Sequence, residues 1–121
     1  MNRIRRWWKT SVLALGAVGL IVARVPVGAH DEPTGFFPHA IAVADLNGDG
    51  VPDVAVPAAA QRKLTVLIGD GRGGFAHNQT YPAGIGPSWV AIADFNADGK
   101  LDLVTANTGG GSLSLYGGDG R

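Results

Sequence analysis

Two nine-residue stretches hold most of the side chains that could do chemistry. Asp45 to Asp53 reads DLNGDGVPD, and Asp94 to Asp102 reads DFNADGKLD. Both fit DxNxDGxxD. Asp45, Asn47, Asp49 and Asp53 supply oxygens at positions 1, 3, 5 and 9 of the first stretch; Asp94, Asn96, Asp98 and Asp102 do so in the second. Glycine at position 6 permits a reversal sharp enough to turn these oxygens toward one point. The backbone carbonyls of Val51 and Lys100, at position 7, are further candidate donors. A flexible set of hard oxygen donors suits Ca²⁺, which takes about 6–8 oxygens at roughly 2.3–2.6 Å. Mg²⁺ wants a tighter octahedron and keeps its waters, and zinc wants nitrogen or sulfur. The expected cofactor is therefore calcium, one ion per stretch and two in all.

Asp, Asn and Gly are also good turn residues, so a single stretch would be weak evidence. Here the same spacing occurs twice. Six of the ten acidic residues lie in the two stretches, and without a cation their carboxylates would repel. An EF-hand is excluded, because its loop needs a bidentate Glu at position 12. That position holds Val56 or Thr105.

The elements that position these loops come from an internal repeat. Residues 38–72 align without a gap on 87–121, every match shifted by 49. Leu64 falls on Leu113, and the run Gly69 to Arg72 falls on Gly118 to Arg121. Within a repeat the hydrophobic period is two. Ile41 and Val43 alternate with small residues over Ala40 to Ala44, as Val90 and Ile92 do in the second copy. Further strands are expected at Asp53 to Pro57, Lys63 to Ile68 and Phe75 to Tyr81, separated by turn-forming clusters. Four short strands in about 40–50 residues is the pattern of a propeller blade. The fold expected is all-β: a partial β-propeller of about two four-stranded antiparallel blades, with calcium loops between first and second strands. The repeats run from about 35 to 83 and from 84 to 121, the second stopping after its third strand.

These residues resemble the FG-GAP/VCBS-type repeats of integrin α-subunit propellers and of many bacterial exported proteins. The resemblance covers roughly residues 33–121: an apolar strand ending in Asp, then NxDGxxDL/V, a strand, and a Gly-Asp-Gly turn. It implies a propeller, typically of about seven blades, with one Ca²⁺ in each such loop. It carries ligation onto Asp45, Asn47, Asp49, Asp53, Asp94, Asn96, Asp98 and Asp102. Ala97 departs from the glycine seen as Gly48, and the Gly-Ala-Pro element is degraded to Val56-Pro57-Ala58 and Thr105-Ala106-Asn107. Adhesion through an integrin-like ligand face therefore does not carry over.

The first 29 residues read as an export signal. Arg3, Arg5, Arg6 and Lys9 precede the apolar run Ser11 to Ala23, and Val27-Gly28-Ala29 offers small residues for cleavage. A retained anchor is the rival, though Arg24, Pro26 and the glycines interrupt a span of about 20 residues. Cut after Ala29, the chain carries five basic residues against ten acidic ones, a net −5. Such a domain has little with which to neutralise phosphates, which argues against nucleic acid. The absence of cysteine excludes a disulfide framework and a thiolate metal site. The location expected is secreted or cell envelope, with no membrane contact beyond the export signal.

Other signals are discounted. Gly69 to Gly74 fits GxGxxG, but a strand rather than a helix follows it. His30, His39 and His77 have no metal-ligand spacing, and Asp70 and Asp119 serve turns. Trp89, in place of Ala40, is expected to fill a blade interface rather than stack on sugar. No catalytic constellation is visible, so an enzyme is not expected. Three functions stay open: a calcium-stabilised scaffold, adhesion or ligand-binding module; a lectin-like propeller binding a surface glycan; and the non-catalytic propeller part of an exported enzyme. Two blades leave an apolar face open at each end. The chain is thus expected to be a fragment whose other blades lie in a longer reading frame or, as the rival, to complete a ring by self-association.

Overall fold

The computed structural model describes residues 10–14, 20–24 and 31–121, with side chains from Asp31 onward. Two compact units divide the chain, Met1–Glu32 and Pro33–Arg121. In the first, β1 (Thr10–Ala14) and β2 (Leu20–Arg24) form an antiparallel pair with Val12 opposite Val22. The charged start and the expected cleavage site at Ala29 lie outside the described residues, as does His30.

The second unit is all β apart from one 3-10 turn, Ala59–Gln61. Its first sheet is an antiparallel meander of β3 (Ala42–Ala44), β4 (Asp53–Ala58), β5 (Lys63–Gly69) and β6 (Phe75–Pro82). The second runs β7 (Pro87–Ala93), β8 (Asp102–Asn107) and β9 (Ser112–Tyr116). The sheets are separate and do not close into a ring. They are the two blades expected, the second with three strands. β3 is shorter than expected: Ala40 and Ile41 lie outside its ladder, and Pro38 makes only an isolated bridge to Ala58.

The core sits between the blades. In the first sheet Ala42 pairs with Ala55 and Ala55 with Val66, so these residues share one face. In the second sheet Ile92 pairs with Leu103 and Leu103 with Tyr116. Ala55, Leu64 and Val66 pack with Val90 and Leu103, flanked by Ala42, Leu46, Ile68, Ile92 and Tyr116. Small side chains at Ala42 and Ala55 let the β7 backbone come close, as the sequence suggests. On the outer side, the Tyr116 hydroxyl donates to the Pro82 carbonyl at 2.9 Å, and its ring lies 6.0 Å from that of Tyr81.

Each blade is also tied to the segment that enters it. Thr65 Oγ1 donates to the Thr34 carbonyl at 2.8 Å. At the equivalent place the Gly84 amide donates to Ser114 Oγ at 3.2 Å. Asn107 Nδ2 donates to Ser114 Oγ at 2.9 Å and to Ser112 Oγ at 3.2 Å, while Thr105 Oγ1 donates to Asn107 Oδ1. Thr105 and Asn107 are buried, so the degraded Gly-Ala-Pro element of the second repeat has become a polar network. Trp89 points to the uncovered face of the second sheet and is 65% exposed.

Candidate functional site

Both DxNxDGxxD stretches occupy the same corner of their sheets, joining the first strand to the second. The first side chain organises each loop. Asp45 Oδ1 accepts from the amides of Gly48 (2.8 Å) and Asp49 (3.1 Å), and Oδ2 accepts from Gly50 (2.8 Å). Asp94 accepts from Asp98 (3.1 Å) and Gly99 (2.7 Å) in the same way. Asn47 Oδ1 accepts from the Asp49 amide, and Asn96 Oδ1 from the Asp98 amide. At position 5, Asp49 Oδ1 accepts from the Val51 amide (2.8 Å) and Asp98 Oδ1 from the Lys100 amide (2.9 Å). Asp49 and Asp98 are exposed.

Gly48 and Gly50 have φ of 76° and 82°, a left-handed path that wraps the loop around its acceptors. Ala97 takes the same path with φ 60° despite its Cβ. A Cβ at Gly48 would meet nothing within 4 Å. The substitution therefore costs only backbone strain.

Position 9 behaves differently. Asp53 is fully buried, and Oδ2 accepts from the Leu46 amide at 2.8 Å while Oδ1 accepts from Gly69 at 2.9 Å. Asp102 repeats this with Phe95 (2.9 Å) and Gly118 (2.8 Å). These carboxylates tie the loop to the end of the third strand. The Gly118 and Phe95 amides, in that order, hold the Asp102 carboxyl below its ordinary value. A Cβ on Gly69 would run into the Pro52 carbonyl oxygen, and one on Gly118 into that of Leu101. That closeness explains the glycine that opens each Gly-Asp-Gly turn. Asp70 then serves its own turn, Oδ1 accepting from Arg72 (2.7 Å) and Gly74 (3.0 Å). The DG spacing after each third strand was the available signal for this clamp, but nothing in the sequence said which carboxylate it meets.

Two sequence-family profiles match the chain: FG-GAP repeat over residues 37–76, and FG-GAP-like repeat over residues 58–105. The first match takes in the loop at 45–53 and the second takes in the loop at 94–102. The chain belongs to the FG-GAP repeat family. No curated protein and no solved structure matches it. As an FG-GAP protein it is a β-propeller repeat module, with a family-type loop at the same corner of each blade.

Calcium can be tested against this donor set. Every candidate side chain offers oxygen. A carboxylate oxygen has two lone pairs, so one that accepts a single amide keeps one for a cation; Asp45 Oδ1 accepts two amides, and that residue's free lone pair is on Oδ2. Asp45, Asn47 and Asp49, with Asp94, Asn96 and Asp98, remain available on that count, as do the carbonyls of Val51 and Lys100. The loops do not draw three or more carboxylates together as a formed cage among the described residues. Asp53 and Asp102 are the most constrained, because each is buried with both oxygens held by amides outside the turn itself.

Proposed function

We propose that this chain is an exported, calcium-stabilised propeller module serving as a scaffold, adhesion or ligand-binding unit. The observation that carries the reading is the duplication. Two oxygen-only loops with the same spacing stand at equivalent corners of two blades. In each, Asp, Asn and Asp at positions 1, 3 and 5 surround a tight turn with glycine at position 6. Asp45, Asn47 and Asp49, with Asp94, Asn96 and Asp98, are the primary ligands, joined by the carbonyls of Val51 and Lys100. Asp53 and Asp102 complete the set while closing the loop on the sheet. Bound calcium would offset the repulsion within each loop. Its function here is stability, and the propeller surface does the binding.

Thermal unfolding in calcium and in chelator tests this. Extracellular modules hold Ca²⁺ with Kd near 10⁻⁴–10⁻³ M. At ~1 mM calcium and a Kd of ~10⁻⁴ M, each site adds about 1.4 kcal/mol by mass action. The melting temperature should rise by several degrees on adding calcium and return with EGTA. Indifference to both would remove calcium from the account.

A further inference from the structure

The 49-residue register turns the packed interface into a template for a surface that is bare. The first blade's face is covered by the second: Leu64 is fully buried and Val66 is 5% exposed. Their equivalents on the second blade, Leu113 and Leu115, are 65% and 66% exposed. Val104 pairs with Leu115 and Ala106 with Leu113, so both leucines stand on one sheet face, with Trp89 beside them. A contiguous apolar face of this kind marks an interaction site.

The same template says what fits. The cover on the first blade includes Val90 and Ile92 of β7. Their equivalents, Ile41 and Val43, are 65% and 59% exposed on the opposite side of the first sheet. Leu67 on that side is already buried, so the open part is the Ile41–Val43 edge. The chain thus carries both halves of an interface that it has already built once internally, one half at each end. We propose that the bare face of the second blade docks the Ile41–Val43 side of a second copy, head to tail. The two patches differ, so the contact is heterologous, and a heterologous contact closes into a ring when its rotation allows. Propellers close with about 4–8 blades, which corresponds to about two to four copies. The proposal rests on the apolar faces and is independent of calcium ligation.

Sedimentation equilibrium of the full chain tests it, using Leu115→Asp and Val43→Asp. The wild type should sediment at about two to four times the single-chain mass. Each variant alone should sediment as a single chain. An equimolar mixture should recover a species of twice that mass, because each variant keeps the half that the other has lost. Leu113→Lys and Ile41→Lys form an independent second pair, and recovery on mixing shows that the variants are folded. A wild type that stays at single-chain mass at tens of micromolar would overturn the proposal, whether the bare face then serves another partner or further blades of a longer chain. Association lost in Leu115→Asp but kept in Val43→Asp would mean face-to-face pairing of the second blades, and would overturn it too. Failure of both pairs to recover on mixing would do the same.

Discussion

Asp53 Oδ1 accepts a hydrogen bond from the Gly69 amide at 2.9 Å, joining the end of the DxNxDGxxD loop to the end of β5. With the Leu46 amide on Oδ2, this makes Asp53 part of the fold whether or not a cation is present.

Asp53 and Asp49 should therefore separate in chelator. A hydrogen bond to a charged group contributes about 1.5–3 kcal/mol, and Asp53 accepts two in a buried place. Asp53→Ala should lower stability in EGTA by on the order of 3 kcal/mol. Exposed Asp49→Ala should lose about half of the calcium response, the share of the first loop, and shift chelator-state stability by about 0.5 kcal/mol or less. Urea unfolding with and without EGTA reads both.

Ala97 and Gly48 offer a reciprocal exchange. A left-handed residue with a Cβ costs roughly 1–2 kcal/mol, partly offset by the greater unfolded-state freedom of glycine. Ala97→Gly should stabilise by up to about 1 kcal/mol, and Gly48→Ala should destabilise by a similar amount. Open space around the added Cβ makes this a clean measure of backbone strain. Midpoints of urea unfolding that do not move in opposite directions would show that the loop relaxes.

Acid should weaken the fold in a defined window. The Arg72 and Gly74 amides hold the Asp70 carboxyl below its ordinary value, and the Gly118 and Phe95 amides do so for Asp102. A carboxyl whose folded pKa is depressed contributes stability above its unfolded pKa, about 3.9 for Asp. That contribution is lost as pH falls through the lower folded value. Stability in chelator should be flat in these two groups above about pH 5 and decline below about pH 4. Asp70→Asn should reduce the slope, as urea midpoints between pH 2 and 6 would report.

The buried network around Asn107 predicts a fourth effect. Asn107→Ala removes a donor to Ser112 and Ser114 and an acceptor for Thr105. Leaving buried groups unpaired costs about 1–3 kcal/mol, so a loss of roughly 2 kcal/mol is expected. Asn107→Asp should cost at least as much, since it exchanges a donor for a charge.

Much of this architecture was legible in the sequence because strand periodicity is a local signal and the 49-residue register appears when the chain is aligned on itself. Asp53 to Pro57, Lys63 to Ile68 and Phe75 to Tyr81 fall within β4, β5 and β6. What escaped depends on contacts distant in sequence. Trp89 alternates like an interface residue, but which face of a blade is covered depends on its neighbour. Asp53 and Asp102 look like the other loop carboxylates until Gly69 and Gly118 arrive 16 residues later. Thr105 and Asn107 look like a degraded motif until Ser112 and Ser114 fold back onto them.

Calcium titration calorimetry on the wild type, Asp49→Ala, Asp98→Ala and the double variant tests the central claim most directly. The account predicts two ions per chain for the wild type, one for each single variant and none for the double variant. A wild type that takes up no calcium, or a double variant with unchanged stoichiometry, would contradict it.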